Sequence, residues 1–314
     1  MSETLDVLVL GDANPDLVLR GDVVPRFDQA EHLLDSADFV IGGSGAITAH
    51  ALTRLGLRTR LLASVGDDPL GVMTREQLVQ AGVDVTAVVV SARPTGLSVV
   101  LSDGPRRATL TRIGAIDADP PTWCVPGDIP RARHLHIASY YLQRRVAAEL
   151  PRLLPLVRDA GLTVSLDTNL DPTGRFGGLA EVLSMVDVFL PNAAEARAAA
   201  RSVTGRSFSD PAAAAGALAA AGGCAVVVKD GANGAVLARG GLLLREPGRP
   251  LDPVDTTGAG DSFNAGYLAA YLAGEDDATA LRWACATGAA ATQAAGGCAG
   301  HLTRAELDEL LASP

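Results

Sequence analysis

The 314-residue chain is 48% hydrophobic, 20% charged and 4% aromatic, with a formal net charge of −10. Such a chain lacks the clustered Lys and Arg that a nucleic-acid groove or an anionic membrane surface requires, and it is too apolar for intrinsic disorder. Its length suits about two average domains or one large α/β unit. Cys124, Cys224, Cys285 and Cys298 lie far apart with no C-x-x-C pair, so the spacing suggests neither a zinc cage nor a disulfide framework and fits a reducing cytosol.

In chain order, the start shows no export signal: Met1 to Thr4 carry no basic run, and the apolar stretch Val7–Leu10 stops at Gly11. A strand is expected over Asp6–Leu10, a helix over Ala46–Leu55, a strand over Thr59–Ser64 and a helix over Met73–Ala81. Strands at His134–Ile137, Thr163–Asp167 and Val188–Pro191 alternate with helices at Val146–Ala160, Ala180–Met185 and Ala193–Arg201. The uncharged stretch Ala212–Val228 is too short and too Ala/Gly-rich for a bilayer span. Pro211 opens it as a helix ending before Gly222-Gly223, and Ala225–Lys229 follows as a strand. Helices over Ala259–Ala273, Ala278–Ala295 and Arg304–Leu311 complete the chain.

Strands that are apolar on both faces, with helices as crossovers, predict a mainly parallel sheet covered on both sides. Two stretches, about residues 13–41 and 92–116, break this rhythm with Pro, Gly and short alternating runs. They are expected to pair into a small β lid.

The stretch Asp255-Thr-Thr-Gly-Ala-Gly-Asp-Ser-Phe-Asn-Ala-Gly266 carries the most chemistry. Gly258 and Gly260 let the backbone turn tightly at a helix start, where free N–H groups and the helix dipole form an anion site. Asp261 stands in the same turn. A carboxylate there repels a phosphate, so it reads as a base facing the anion site.

This segment resembles the C-terminal signature of the PfkB family, the ribokinase-like carbohydrate kinases. Other segments resemble family motifs in the family's order: Gly11-Asp-Ala-Asn-Pro-Asp16, Gly42-Gly-Ser-Gly-Ala-Ile-Thr-Ala49, Gly66-Asp-Asp-Pro-Leu-Gly71, Pro191-Asn-Ala-Ala-Glu195 and Val228-Lys-Asp-Gly-Ala-Asn-Gly-Ala235. The resemblance spans nearly the whole chain. It implies a single three-layer α/β/α domain over residues 1–314 with the lid appended, and ATP-dependent phosphorylation of a hydroxyl on a sugar or sugar derivative.

By that resemblance Asp261 is the general base, and the amides of Gly258, Ala259 and Gly260 form the anion hole. Asn192 and Glu195 organise Mg²⁺ through water. Asn169, Asn192, Lys229, Gly231, Gly234 and Cys285 belong to the nucleotide side, although a Lys at the place of Lys229 could equally reach solvent. Asp255 and Thr257 match a monovalent-cation site, K⁺ in several members. Asn14, Asp16, Gly42 and Gly43 face the sugar.

Two positions depart from the pattern. Ile47 replaces an Asn that touches sugar, and Tyr140-Tyr141 stand where a polar contact is usual, either packed in the core or forming an apolar wall. The alternatives are a nucleoside kinase of the same family and a catalytically silent sugar sensor. A homodimer through the lid is a further expectation, as is a cytoplasmic location without nucleic-acid or membrane partners.

Overall fold

The computed structural model describes residues 4–28, 31–103, 106–118 and 129–312. Cys124, and residues 29–30 and 104–105 of the two predicted insertions, lie outside them. The chain opens on β1 (Leu5–Leu10), in which Val7, Leu8, Val9 and Leu10 are all buried. Successive strand side chains point to opposite faces, so this run requires cover on both sides. It has it: Val7 and Val9 belong to one apolar core, Leu8 and Leu10 to another.

After β2 (Asn14–Gly21) and β3 (Leu34–Gly42) come α1 (Ser44–Arg54), β4 (Thr59–Leu62), β5 (Ser64–Gly66) and α2 (Pro69–Gln80). Next are β6 (Val89–Ser91), β7 (Leu97–Asp103), β8 (Arg106–Arg112) and β9 (Ala132–Ile137). Helix and strand then alternate through α3 (Arg144–Asp159), β10 (Thr163–Leu166), α4 (Leu179–Leu183), β11 (Val188–Phe189) and α5 (Ala193–Thr204). The last part holds α6 (Pro211–Gly222), β12 (Ala225–Lys229), β13 (Ala235–Arg239), β14 (Leu242–Glu246), α7 (Ala259–Ala273), α8 (Asp277–Ala291) and α9 (Arg304–Ala312).

The main sheet has the order β14-β13-β12-β11-β10-β9-β1-β4. From β12 to β4 every pairing is parallel, and β13 and β14 add an antiparallel edge. One core packs the sheet against α1, α7 and α8, the other against α3 to α6, giving three layers, α/β/α. Local chemistry sets the element ends. At α6, Asp210 accepts from the N–H groups of Ala212 and Ala213, Pro211 occupies the first turn, and Gly223 closes the helix at φ 72°. Ala212–Val228 is therefore helix then strand, and no helix among the described residues is long and apolar enough to cross a membrane.

The two insertions meet in a second sheet of order β3-β2-β7-β8, with β2 and β7 parallel and the outer pairs antiparallel. Two expectations change in detail. The strand predicted over Thr59–Ser64 divides into β4 and β5, and β5 leaves the main sheet to pair with β6. The hairpin β13–β14 carries no predicted strand, yet Gly240 and Gly241 at φ 54° and 88° form its two-residue turn, the positive-φ pair that such hairpins require.

Candidate active site

The parallel strands end at one edge, where open α/β sheets place their ligands, and two cavities open there. One, of about 280 Å³, is mainly apolar and includes Leu251, Pro253, Phe263, Cys285 and Ala289 together with Gly234. The other, of about 480 Å³, is polar; Asp12, Asn14, Asp16, Asn169, Glu195 and Asp261 line it. Lys229, Gly231, Thr256 and Gly260 line both, so the cavities join at these residues.

The junction is the start of α7. Gly258 precedes the helix at φ 72°, and a Cβ there would overlap the Gly297 carbonyl; only glycine satisfies both conditions. The Ala259 N–H leans back to the Thr256 carbonyl at 3.3 Å. Gly260 faces both cavities, with Lys229 Nζ 3.7 Å from where its Cβ would stand. Asp261 follows, buried. Burial first, and the charge of Asp167 second, push its carboxyl well above the ordinary aspartate range, while the charge of Lys229 opposes them.

Asn169, at φ 52°, ties this wall together. Its side chain donates to Ser44 Oγ at 2.7 Å and accepts from the Ser139 N–H at 2.9 Å. Lys229 does not reach for solvent. Its ammonium donates to Asp167 Oδ2 at 2.6 Å and to Asn264 Oδ1 at 3.2 Å, while Asn264 donates to the same Asp167 oxygen at 2.6 Å. Although burial alone acts to raise it, Asp167 is held below the usual carboxylate range by Lys229.

Asn192 and Glu195 form a capping box on α5: Asn192 Oδ1 accepts from the Ala194 and Glu195 N–H groups, and Glu195 Oε2 accepts from the Asn192 N–H. Both side chains also line the polar cavity. Burial, then the charge of Asp167, pushes Glu195 up to about 7.

On the side of the second sheet, Asn14 Nδ2 donates to Asp16 Oδ1 at 3.1 Å. Asp16 is pushed up to about 7 by burial and by the nearby charge of Asp12. Gly43 and Ile47 line the polar cavity, whereas the close approach at Gly42 is to the Asp16 carboxylate, which a Cβ would overlap. Tyr140 and Tyr141 are not a wall of this cavity, which is lined instead by Ser139 and Leu142. Ser139 adopts φ 53° and turns its hydroxyl onto Asp12 at 2.8 Å. The two rings then point away, Tyr140 into the core and Tyr141 edge-on against Phe176.

Asp255 and Thr257 bond each other: Asp255 Oδ1 accepts from the Thr257 N–H and hydroxyl at 2.9 and 2.7 Å, and Oδ2 accepts from the Gly296 N–H at 3.0 Å. Arg20 stands 3.5 Å from the same carboxylate, and Arg107 donates to Thr257 Oγ1 at 2.6 Å. The oxygens that would hold a monovalent cation are thus engaged by donors, two of them guanidinium groups. Cys285 is a buried thiol pushed up to about 12, first by burial, and it acts as an apolar wall of the smaller cavity.

Sequence reasoning did not assign Asp12, Ser44, Arg107 or Asn264. Asp12 accepts from the Gly45 N–H at 2.9 Å and from Ser139, and its signal was a carboxylate one glycine beyond the apolar run Val7–Leu10. Arg107, Thr109 and Thr111 of β8 face the polar cavity, and their alternation was visible in the sequence without showing what they face.

A polar cavity rich in hydroxyl-accepting groups, an apolar cavity fit for a purine, and a glycine-lined helix start between them define a phosphotransferase with an alcohol as acceptor. The chain belongs to the pfkB family of carbohydrate kinases, whose model matches residues 4–304, and it is an ATP-dependent carbohydrate kinase. It is 34% identical to the ATP-dependent ribose-1-phosphate kinase of Halopiger xanaduensis, over 90% of each chain. It is 31% identical to the acarbose 7(IV)-phosphotransferase of an Actinoplanes species, over 98% of each. Its fold matches that of Arabidopsis thaliana ribokinase complexed with ribose and ATP, with a TM-score of 0.82 and 23% identity over 99% of this chain and 100% of the other. ATP and Mg²⁺ are the cofactors expected of this family.

Proposed function

We propose that Asp261 is the general base that takes the proton of the attacking sugar hydroxyl, while the N–H groups at the start of α7 hold the transferring phosphoryl oxygens. The observation that carries this reading is the place of Asp261, in the first turn of α7 where the two cavities join. Phosphoryl transfer asks mainly for positioning and charge stabilisation. A base of this kind contributes about 10²–10⁴ in rate, and each aligned amide about 3 kcal/mol. Lys229, Gly231, Gly234 and Cys285 belong to the nucleotide side, whereas Asn169 acts by orienting Ser44 and Ser139. Asn192 and Glu195 face the polar cavity while their oxygens also cap α5, which suits Mg²⁺ held through water. Thr257 and Asp255 are already engaged by Arg107 and Arg20, so their oxygens are not offered to a monovalent cation.

The substrate is a polyol sugar bearing an anionic substituent. Asn14 and Asp16 supply hydroxyl partners, and Arg107 with Thr109 and Thr111 offers a cation among hydroxyls on the lid face, a setting suited to phosphate or carboxylate. Among the described residues, neither Tyr140 nor Tyr141 lines this cavity as a stacking wall for a nucleoside base. The small sheet acts as the lid. Its outer face carries Leu17, Phe39, Val99 and Leu110 in register across all four strands, with Phe39 and Leu110 exposed by 46% and 61%, which supports pairing with a second copy. The reaction belongs in the cytosol, where ATP is available.

ADP release from ATP tests the substrate assignment across neutral pentoses and hexoses, sugar phosphates, sugar acids and nucleosides. Turnover is expected to favour an anionic sugar and to lose that preference in Arg107→Met; selective turnover of nucleosides would reject it. Asp261→Asn is expected to keep ATP binding and to lower kcat at least about a hundredfold. Near-normal turnover would remove the assigned base.

A further inference from the structure

Away from the kinase cavities, three side chains from distant parts of the chain converge. His50 lies on α1, and Cys298 and His301 lie in the segment between α8 and α9. The two imidazole Nδ1 atoms are 2.7 Å apart across 251 residues of sequence. One ligand atom from each of the three residues lies within 4.8 Å of the other two. His301 is buried, and its Nε2 has no hydrogen-bond partner among the described residues.

We propose that His50, Cys298 and His301 form a binding site for a borderline-soft divalent cation of the Zn²⁺ type, separate from the Mg²⁺ expected beside ATP. Two imidazole nitrogens and one thiol are the donor set that such an ion selects over Mg²⁺ or Ca²⁺, which take oxygen. The Nδ1 atoms face each other at 2.7 Å, one as N–H donor and one as acceptor; once the donor ring carries its proton on Nε2, both Nδ1 lone pairs meet at one point, and that is where an ion would sit. Tetrahedral zinc with nitrogen at about 2.0–2.1 Å and sulfur at about 2.3 Å requires the nitrogens to part by roughly half an ångström, with the thiol closing by roughly one.

Protons balance simply. The Cys298 S–H bond breaks, sulfur bonds the ion, and one proton leaves to solvent; the ring that donates through Nδ1 gives up that proton and takes one on Nε2, so each imidazole stays neutral and binds through Nδ1. A water fills the fourth position. Access exists from two sides, since Cys298 lines a hollow of about 290 Å³ with Phe39 and Ile41, and His301 lines another of about 760 Å³ with Arg54 and Leu310. The nearby Arg54 opposes a cation, but its guanidinium is 3.8 Å from the Glu306 carboxylate, which offsets that charge.

The ion would fasten the segment behind the anion cradle. Gly297, next to Cys298, packs against both Gly258 and Ile47, and Gly296 donates to Asp255, while His50 belongs to the same helix as Ile47. Binding therefore ties α1 to the backing of the α7 start. The proposal does not depend on which sugar is phosphorylated or on the role of Asp261.

The test uses full-length protein freed of transition metals, titrated with Zn²⁺ by calorimetry and with Co²⁺ by absorption. One Zn²⁺ per chain is expected, together with a raised melting temperature and, for Co²⁺, tetrahedral d–d bands with a thiolate charge-transfer band. His50→Gln and Cys298→Ser, both at half-buried positions, are each expected to weaken Zn²⁺ binding at least tenfold, and Cys298→Ser to remove the thiolate band. Melting curves of the metal-free variants confirm that they are folded, and His301→Asn serves if either is not. No Zn²⁺ binding at micromolar concentration, binding unchanged in the variants, or a Co²⁺ spectrum without the thiolate band would overturn the proposal.

Discussion

Asp16→Asn is expected to stabilise the unliganded protein while impairing it as a kinase. Asp16 is 7% exposed, and burial with the Asp12 charge raises its carboxyl from the 3.8 of a free aspartate to about 7. A folded-state value above the unfolded one means that the folded chain binds the extra proton, so this group costs nothing below pH 3.8. Its cost grows as pH rises from 3.8 and is complete above 7. That interval corresponds to about 4 kcal/mol at pH 8 and about 2 kcal/mol at pH 5. Asparagine keeps an oxygen that can accept from Asn14 Nδ2, the bond seen at 3.1 Å, and never ionises. Urea unfolding at pH 5 and pH 8 separates the terms: the variant should gain stability over wild type, more at pH 8 by about 2 kcal/mol. The KM for sugar should rise, because a carboxylate that accepts two hydroxyls is replaced by an amide that accepts with one oxygen. A variant less stable than wild type at pH 8, or a gain equal at both pH values, would refute the reasoning.

Three further outcomes follow from the same geometry. Lys229→Met leaves Asp167 buried without its counter-charge, the two side chains being 12% and 2% exposed; a loss of about 3–5 kcal/mol is expected in urea unfolding, partly restored by adding Asp167→Asn. Gly258→Ala forces a Cβ onto the Gly297 carbonyl at φ 72°, so kcat should fall at least about tenfold, with strain of about 1–2 kcal/mol in the melting curve; unchanged kcat would show that the cradle tolerates displacement. Because burial and Asp167 raise Asp261 above the ordinary aspartate range, the working carboxylate is lost as pH falls through that raised value. The acid limb of the kcat profile should therefore lie above 3.8, and a limb at or below that pH would contradict the assignment.

The layering was legible because β1 and β12 are apolar at nearly every position, a pattern that a sheet covered on both faces satisfies. The α7 start was legible for a related reason, since glycines, an acid and a helix act together within one local segment. What stayed hidden depended on tertiary placement. The β13–β14 hairpin was missed although Gly240-Gly241 signalled a turn, because its strands are short and Ala-rich or half exposed. Tyr140 and Tyr141 sit beside the cavity in sequence, but one left-handed residue, Ser139, decides that they turn inward. Arg107 shows its role only once β8 is laid against β7, and the scattered positions of His50, Cys298 and His301 conceal that they meet.

These features share one cause. The C-terminal edge of the sheet gathers Asp12, Asp16, Asp167, Asp261 and Glu195 in or beside a single cavity, and the described buried cation among them is Lys229. Such a gathering opposes folding, since burial disfavours every ionised member. It is tolerable because several of the carboxyls rise toward neutrality and because Asp167 takes the ammonium. The remaining positive charge at the polar cavity, Arg107, stands on the lid, where its guanidinium lowers the cost of ionising Asp16. If the small sheet moves as proposed, the charge balance of the polar cavity changes with it, and an anionic sugar held by Arg107 would compete with Asp16 for the same guanidinium. The acidic floor thus opposes the unliganded fold, and Lys229 and Arg107, which line the same cavity, offset part of that opposition.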